Sequence, residues 1–443
     1  MKVTATYRNI WNISYPIILG SLATTVLNLT DTAYIARVGE VELGAMAIAT
    51  VFYFVIVMVG IALGTGAQIL IARRAGEGNV SEIGKLFDHS FILLAALALF
   101  SFIIAKYLSP DFFSYLLSSE AVTKACNDFM GIRSYGILFT LATIGFRSFY
   151  IGIGTTRVIT YASFLTMLLN VVLAYVMIFG KYGFPEMGIK GAALASVISE
   201  LAGLIYMILF TAIKQEFKHF NLFRFADLKK SRLAAIFHLS SPLMLQNTLT
   251  IGSWFLFFVF IERMGEHELA ISNIIRATYM ILMTPIWGFA STTNSMVSNL
   301  IGQGKIHEVK LLVRKIINLS IIITTVIFAI SFISPQWLLR ITTSDLQLIE
   351  DSMGCYFIII SAMFFFSISV ILLSTVSGSG NTKAAMVIEF INIFIYMIYV
   401  YLCAVVYNSS IETVWFSEII YWVLMGALSA LFLTTRKWQH QKI

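Results

Sequence analysis

The segment Arg37-Val-Gly-Glu-Val-Glu-Leu43 returns 226 positions later as Arg263-Met-Gly-Glu-His-Glu-Leu269, with five of seven residues identical. The same offset carries Pro16 onto Pro242, Gly76 and Gly78 onto Gly302 and Gly304, and Glu82 onto Glu308. It also carries Gly152-Ile-Gly154-Thr-Thr156-Arg157 onto Gly378-Ser-Gly380-Asn-Thr382-Lys383. A register held over this length marks a duplicated unit, each half one copy.

The residues around the repeat say what was duplicated. The chain has 443 residues, 58% hydrophobic and only 12% charged, against roughly 25% charged in soluble proteins. Its mean hydropathy is +0.86. A soluble or disordered chain of this length is excluded, and an integral membrane protein remains. A bilayer core about 30 Å thick takes about 20 apolar residues per helix. Twelve runs meet that length: 10–36, 44–72, 88–106, 128–152, 158–181, 188–213, 235–261, 269–300, 315–334, 352–377, 384–407 and 412–435. Six spans separate repeat mates, so the halves share one orientation and are related by a two-fold axis along the membrane normal. The expected fold is therefore all-α, with two pseudo-symmetric six-helix bundles around a central cavity. The bundles are 1–213 and 235–443, joined by a cytoplasmic linker at 214–234. Transporters commonly place a substrate site between such repeats.

Loop charge orients the helices. With the N-terminus inside, 20 Lys and Arg fall on the cytoplasmic side, Arg436 and Lys442 among them, and 7 on the other. That bias puts both termini in the cytoplasm. The basic linker reads as an ordinary inside loop, not as a nucleic-acid surface. The run from Ile10 to Ala36 is too long for a cleaved signal and reads as the first span. Cys126, Cys355 and Cys403 have no paired spacing, and no two of the six histidines stand four apart. A thiolate metal site and a zinc or di-iron membrane enzyme are therefore disfavoured. No Gly-x-x-x-x-Gly-Lys loop is present to bind ATP. The expectation is a secondary transporter, not an enzyme.

Several segments support a family. The stretch from Pro16 to Asp31, Asp31-Thr-Ala33, Arg37-x-Gly39, Gly64-Thr-Gly-Ala-Gln68 and Gly188-Ile-Lys-Gly-Ala-Ala193 resemble the multidrug and toxic compound extrusion (MATE) family of the MOP flippase superfamily. The resemblance spans essentially the whole chain. It implies proton- or sodium-driven antiport of organic, often cationic and amphipathic compounds across the bacterial inner membrane, by a monomer among membrane lipids and without another cofactor. Asp31 matches the first-helix acid of the family and Asn170 the fifth-helix Asn of the DinF-type branch. The Asp expected four residues later is Ala174. The NorM-type acids of the second half fall near Thr250 and Phe366–Ser367, so neither branch's ion site is intact.

A charge inside the bilayer costs at least ~2.5–3.5 kcal/mol, so each intramembrane ionisable residue is a functional candidate. From the helical rise, Asp31 and Asn170 both lie about 9–10 Å from the outer face and Glu200 about 15 Å deep. Asp31, Asn170 and Glu200 are expected to form the ion-coupling site, Glu200 supplying the carboxylate missing at Ala174. Two carboxylates out of bulk water cannot both stay ionised, which lets one carry a proton. The same oxygens, at Asp31 and Asn170, suit sodium. In the second half, Arg276 and Glu389 are expected to form an ion pair or a water-bridged network. Glu418, Arg133 and Arg147 lie near helix ends and are expected to snorkel. Pro16 and Pro242 are expected to act as paired hinges, with Pro285 a further kink. Trp254, Phe255, Phe257, Phe258, Phe260, Tyr279, Trp287 and Phe364–Phe366, with 18 Met, suit a flexible drug-binding cavity. Two other readings stay open: a flippase for lipid-linked oligosaccharide or another lipid, and, remotely, a membrane-embedded enzyme.

Overall fold

The computed structural model describes residues 2–225, 227–340, 342–343, 345–435, 437–440 and 443. Arg436 and Lys442, two of the orienting charges, lie outside them. Among the described residues there are 12 helices long and apolar enough to cross a membrane and no strands. They are α1 Tyr7–Ile35, α2 Glu40–Glu77, α3 Val80–Ile103, α4 Glu120–Ile153, α5 Arg157–Ile178 and α6 Gly188–Ile213. After the linker come α7 Lys230–Glu262, α8 Glu266–Gly302, α9 Ile306–Ile333, α10 Met353–Gly378, α11 Thr382–Tyr401 and α12 Ser417–Thr434.

The helix ends follow from the residues that the repeat preserves. Glu40 and Glu42 open α2, and Glu266 and Glu268 open α8. In each case acids sit where the unpaired N–H groups of a helix start carry positive charge. Gly78 and Gly304 take left-handed φ values of 78° and 76°. At the first of these, Gly78 N–H bonds Ala75 and Asn79 N–H bonds Arg74. That closure satisfies carbonyls that lipid cannot, and a side chain would strain the turn.

The chain divides into two compact units. The N-terminal unit is Tyr15–Met244 and the C-terminal unit is Leu245–Ile443 together with Met1–Ser14. The divisions fall beside Pro16 and Pro242, each inside its helix. Within the C-terminal unit the first residues are fastened by real bonds: Val3 N–H to Asn299 Oδ1 at 3.2 Å and Lys315 Nζ to the Ala5 carbonyl at 2.7 Å. Within the N-terminal unit the linker is held by Asp88, whose oxygens accept from Phe223 N–H and Phe225 N–H at 2.7 and 2.9 Å. Arg232, at the start of α7, adds a pair with Glu82.

In the N-terminal unit α4 is the hub, packed on α2, α3 and α6. Its repeat mate α10 plays the same part in the C-terminal unit, against α8, α9 and α12. Helices in lipid gain nothing from hydrophobic association, so small residues at their contacts set how closely they pack. The Gly188-Ile-Lys-Gly191 segment does this at the α5–α6 contact. A Cβ on Gly191 would stand 2.7 Å from the Met177 carbonyl carbon and oxygen, which are backbone and cannot swing aside. We expect Gly191→Leu to force the two helices apart and cost about 2 kcal/mol or more. The check is a fall in the unfolding temperature of the detergent-solubilised protein; an unchanged temperature would exclude this role for Gly191.

Candidate functional site

The α5–α6 contact holds the polar centre of the N-terminal unit. Ser196 on α6 donates to Asp31 Oδ2 at 3.3 Å, and its hydroxyl accepts from Asn170 Nδ2 at 3.2 Å. Asn170 is fully buried and Asp31 is 9% exposed. The other oxygens, Asp31 Oδ1 and Asn170 Oδ1, are buried with no hydrogen-bond partner. Two unpartnered oxygens, one on a carboxylate, are what a proton or a small hard cation would complete. Ala174, one turn beyond Asn170, is fully buried and adds nothing polar.

Glu200 is engaged elsewhere. Its carboxylate takes a two-pronged pair from Arg133 on α4, with one arm at 2.7 Å. The guanidinium lies over the Tyr53 ring, 4.0 Å from its centroid, and Tyr53 in turn bonds Thr140 at 2.8 Å. A bare Gly136 on α4 makes the room, because a Cβ there would strike both Arg133 and Glu200. Arg133 therefore does not snorkel. A guanidinium gains more from a bidentate carboxylate and an aromatic face than from reaching a helix end. Ser196 and Glu200 stand one turn apart on the same face of α6, so the Arg133–Glu200 pair adjoins the Asp31 centre while its carboxylate is bonded to Arg133. Depth along a helix can be read from sequence, but which neighbour a side chain meets cannot.

In the C-terminal unit, Arg276 and Glu389 are not brought together. Arg276 bonds Asn273 three residues back at 3.1 Å and lies 5.0 Å from the Phe258 ring. These local partners shorten its reach. Glu389, 2% exposed, accepts from Thr250 at 2.8 Å and from Tyr421, while its Oε2 has no partner. One turn further along α11, Asn392 is fully buried with neither polar side-chain atom bonded.

Glu418, expected to snorkel at a helix end, is instead enclosed among aromatic donors. It is 2% exposed. Its Oε2 accepts from Tyr279 at 3.2 Å and from Trp422 Nε1 at 3.1 Å, and its Oε1 from Tyr396 at 3.4 Å. The available signal was Glu418-Ile-Ile-Tyr421-Trp422, an acid followed at i+3 and i+4 by aromatics that carry donors. The aromatic residues assigned to a cavity do not share one environment, and Trp254, Phe258, Phe260 and Phe364 are half-buried. Phe257, Tyr279 and Phe366 are core residues, whereas Phe255 and Trp287 are exposed. Among the described residues no group of three or more His, Cys, Asp or Glu gathers in one place.

Removing one partner of a buried pair leaves the other charge uncompensated, at about 3 kcal/mol. Glu200→Gln and Arg133→Gln should each destabilise the protein by that order. The double variant should recover much of the loss, as read from denaturation midpoints in detergent. Additive losses would exclude a direct energetic link.

Comparisons with known proteins agree with this architecture. A probable multidrug resistance protein NorM of Thermotoga maritima is 28% identical over 433 residues, covering 94% of this chain and 90% of its own. The Vibrio cholerae MATE transporter VcmN superposes with a TM-score of 0.89 at 18% identity, covering 98% of both chains. A MOP superfamily transporter from Pyrococcus furiosus, described as having a binding pocket of reverse polarity, gives 0.90 at 18% identity, covering 98% of this chain and 96% of its own. The family model MatE matches residues 16–176 and again 242–402, the two matches separated by the repeat offset. With twelve membrane helices in two duplicated halves and the family's pattern in both, the chain belongs to the MatE family.

Proposed function

We propose that the chain is a cation-coupled antiporter that exports organic compounds, often cationic and amphipathic, by alternating access. The observation that carries this reading is the Asp31–Ser196–Asn170 centre, in which two buried oxygens lack partners inside a chain of the MatE family. A carboxylate in that setting must be neutralised by something that comes and goes. A proton would sit on Asp31; sodium would take the Asp31 and Asn170 oxygens. The name of the Thermotoga relative, a probable multidrug resistance protein, supports drugs or similar metabolites as cargo. The loop charges support a bacterial inner-membrane protein with both termini and the linker in the cytoplasm, and the family resemblance supports a monomer. Pro16 and Pro242, beside the unit divisions, suit the bending that alternating access requires.

The test is efflux from vesicles holding the full chain, with a panel of lipophilic cationic dyes, under an imposed pH gradient and, separately, an imposed sodium gradient. The gradient that drives efflux names the ion. Asp31→Asn should reduce driven efflux at least about tenfold, because it removes the only charge at the centre able to hold the ion. Full driven efflux in Asp31→Asn would overturn the assignment.

A further inference from the structure

The repeat register links the two halves at the level of their polar centres. At the offset of 226, Tyr53, Asn170 and Ser196 of the N-terminal unit correspond to Tyr279, Tyr396 and Trp422 of the C-terminal unit, and Asp31 corresponds to Phe257. The positions that surround Asp31 and its neighbouring ion pair in one copy are thus the positions that surround Glu418 in the other. Tyr279, Tyr396 and Trp422 are the three donors on the Glu418 carboxylate. Phe257 stacks on Tyr396 with ring centroids 6.0 Å apart. In the C-terminal copy the acid stands on α12, the repeat mate of α6, and not on α7, the mate of α1, and its partners are aromatic donors instead of an amide and a hydroxyl.

We infer that Glu418 is a second proton-binding site, built by the C-terminal unit on the repeat mates of the positions that frame Asp31. Its surroundings contain no compensating charge. The groups facing it are Tyr279 from α8, Tyr396 from α11, and Tyr421 and Trp422 from its own helix. From α10, Phe366 packs on Trp422 with centroids 4.5 Å apart and brings no ionisable group. The nearest other acid is Glu389, which holds the far side of Tyr421. An ionised carboxylate here would have no cation to balance it, which burial penalises, yet it would keep the Tyr279 and Tyr396 hydrogen bonds and a share of the single Trp422 N–H, which also points at the Tyr279 hydroxyl at 2.7 Å. Opposed pressures of this kind leave both states accessible, and that is the requirement for a group that takes and gives a proton.

The ligand chemistry follows from which atoms point inward. Each of the three partners offers the carboxylate an O–H or N–H, and indole nitrogen has no lone pair to give a metal ion. Sodium would need several oxygen lone pairs where these donors stand. A proton needs only one carboxylate oxygen and a hydroxyl that turns from donor to acceptor, and Tyr396 can do this, whereas the Tyr279 oxygen already accepts from Trp422. The site stands apart from Asp31, so it goes beyond the coupling proposed above, and each can fail without the other.

The experiment is an infrared titration of the full chain in lipid vesicles, following protonated-carboxyl bands between about pH 5 and about pH 9, the range in which a carrier must load and unload. Besides any band from Asp31, we expect a band in the wild type that fades as pH rises, persists in Asp31→Asn and is absent in Glu418→Gln. Glu418→Gln should also lower the protons taken up per chain by one. Tyr279→Phe with Tyr396→Phe keeps the acid and removes two donors to its anion. In that variant the band should persist to higher pH, and this arm decides the matter if Glu418→Gln does not fold. The proposal is overturned if Glu418→Gln leaves every titrating band in place, or if removing both tyrosine hydroxyls leaves the band unmoved. Loss of the Asp31 band alone, in Asp31→Asn, would count for the N-terminal assignment and would leave the Glu418 band as the signature of a separate site.

Discussion

A peptide group or a carboxylate inside a bilayer has no water to bond, so each must find its partner within the protein. This constraint governs the structure at every scale. It makes the spanning segments helices, because only a helix closes its own N–H and C=O groups without a neighbour. It asks for closed helix ends, which Gly78 and Gly304 provide in matching left-handed turns. It also leaves helix–helix contact to van der Waals packing, so a glycine such as Gly191 can decide how near α5 and α6 approach.

The same constraint explains why the buried acids are so unlike one another. Glu200 is neutralised by a fixed cation, Arg133, in a clamp that Tyr53 and Gly136 complete. Such a pair is stable in one state and costly to split. Asp31 has one hydrogen bond, from Ser196, on one oxygen and no hydrogen-bond partner on the other. Glu418 has neutral donors on both. A fixed counter-ion in bidentate contact satisfies a carboxylate within the protein, whereas Asp31 keeps one oxygen without a hydrogen-bond partner and Glu418 has only neutral donors. The duplication supplied a common frame of positions, and divergence put different chemistry into each copy.

The correspondence between the two centres shows how a repeat can keep one fold while its side chains make different contacts in each copy. Tyr53 supports a guanidinium with its ring face; its mate Tyr279 offers its hydroxyl to a carboxylate. One residue type serves both because a phenol has an electron-rich face and a polar tip. The linker and the first residues follow a complementary logic. The N-terminal unit holds the linker through Asp88 and Arg232, and the C-terminal unit holds the first residues through Asn299 and Lys315. Pro16 and Pro242, each inside its helix, omit a backbone hydrogen bond beside these fastenings.

The amino-acid sequence by itself determined the class, the twelve helices, the duplication and the family, because each rests on composition or on spacing along one dimension. The span lengths, the constant offset and the glycines at helix ends are all properties of order in the chain. Asp31 and Asn170 were legible as a pair because a family motif names them and the helical rise puts them in one layer. The tertiary structure decided everything that depends on direction around a helix axis. It turned Glu200 toward Arg133, kept Arg276 with Asn273 and Phe258, and enclosed Glu418 in an aromatic cage. The helical rise gives how deep a side chain lies; only the packed bundle gives which of several helices at that depth it meets, and in a medium without water that choice of partner decides whether a charge is structural or functional.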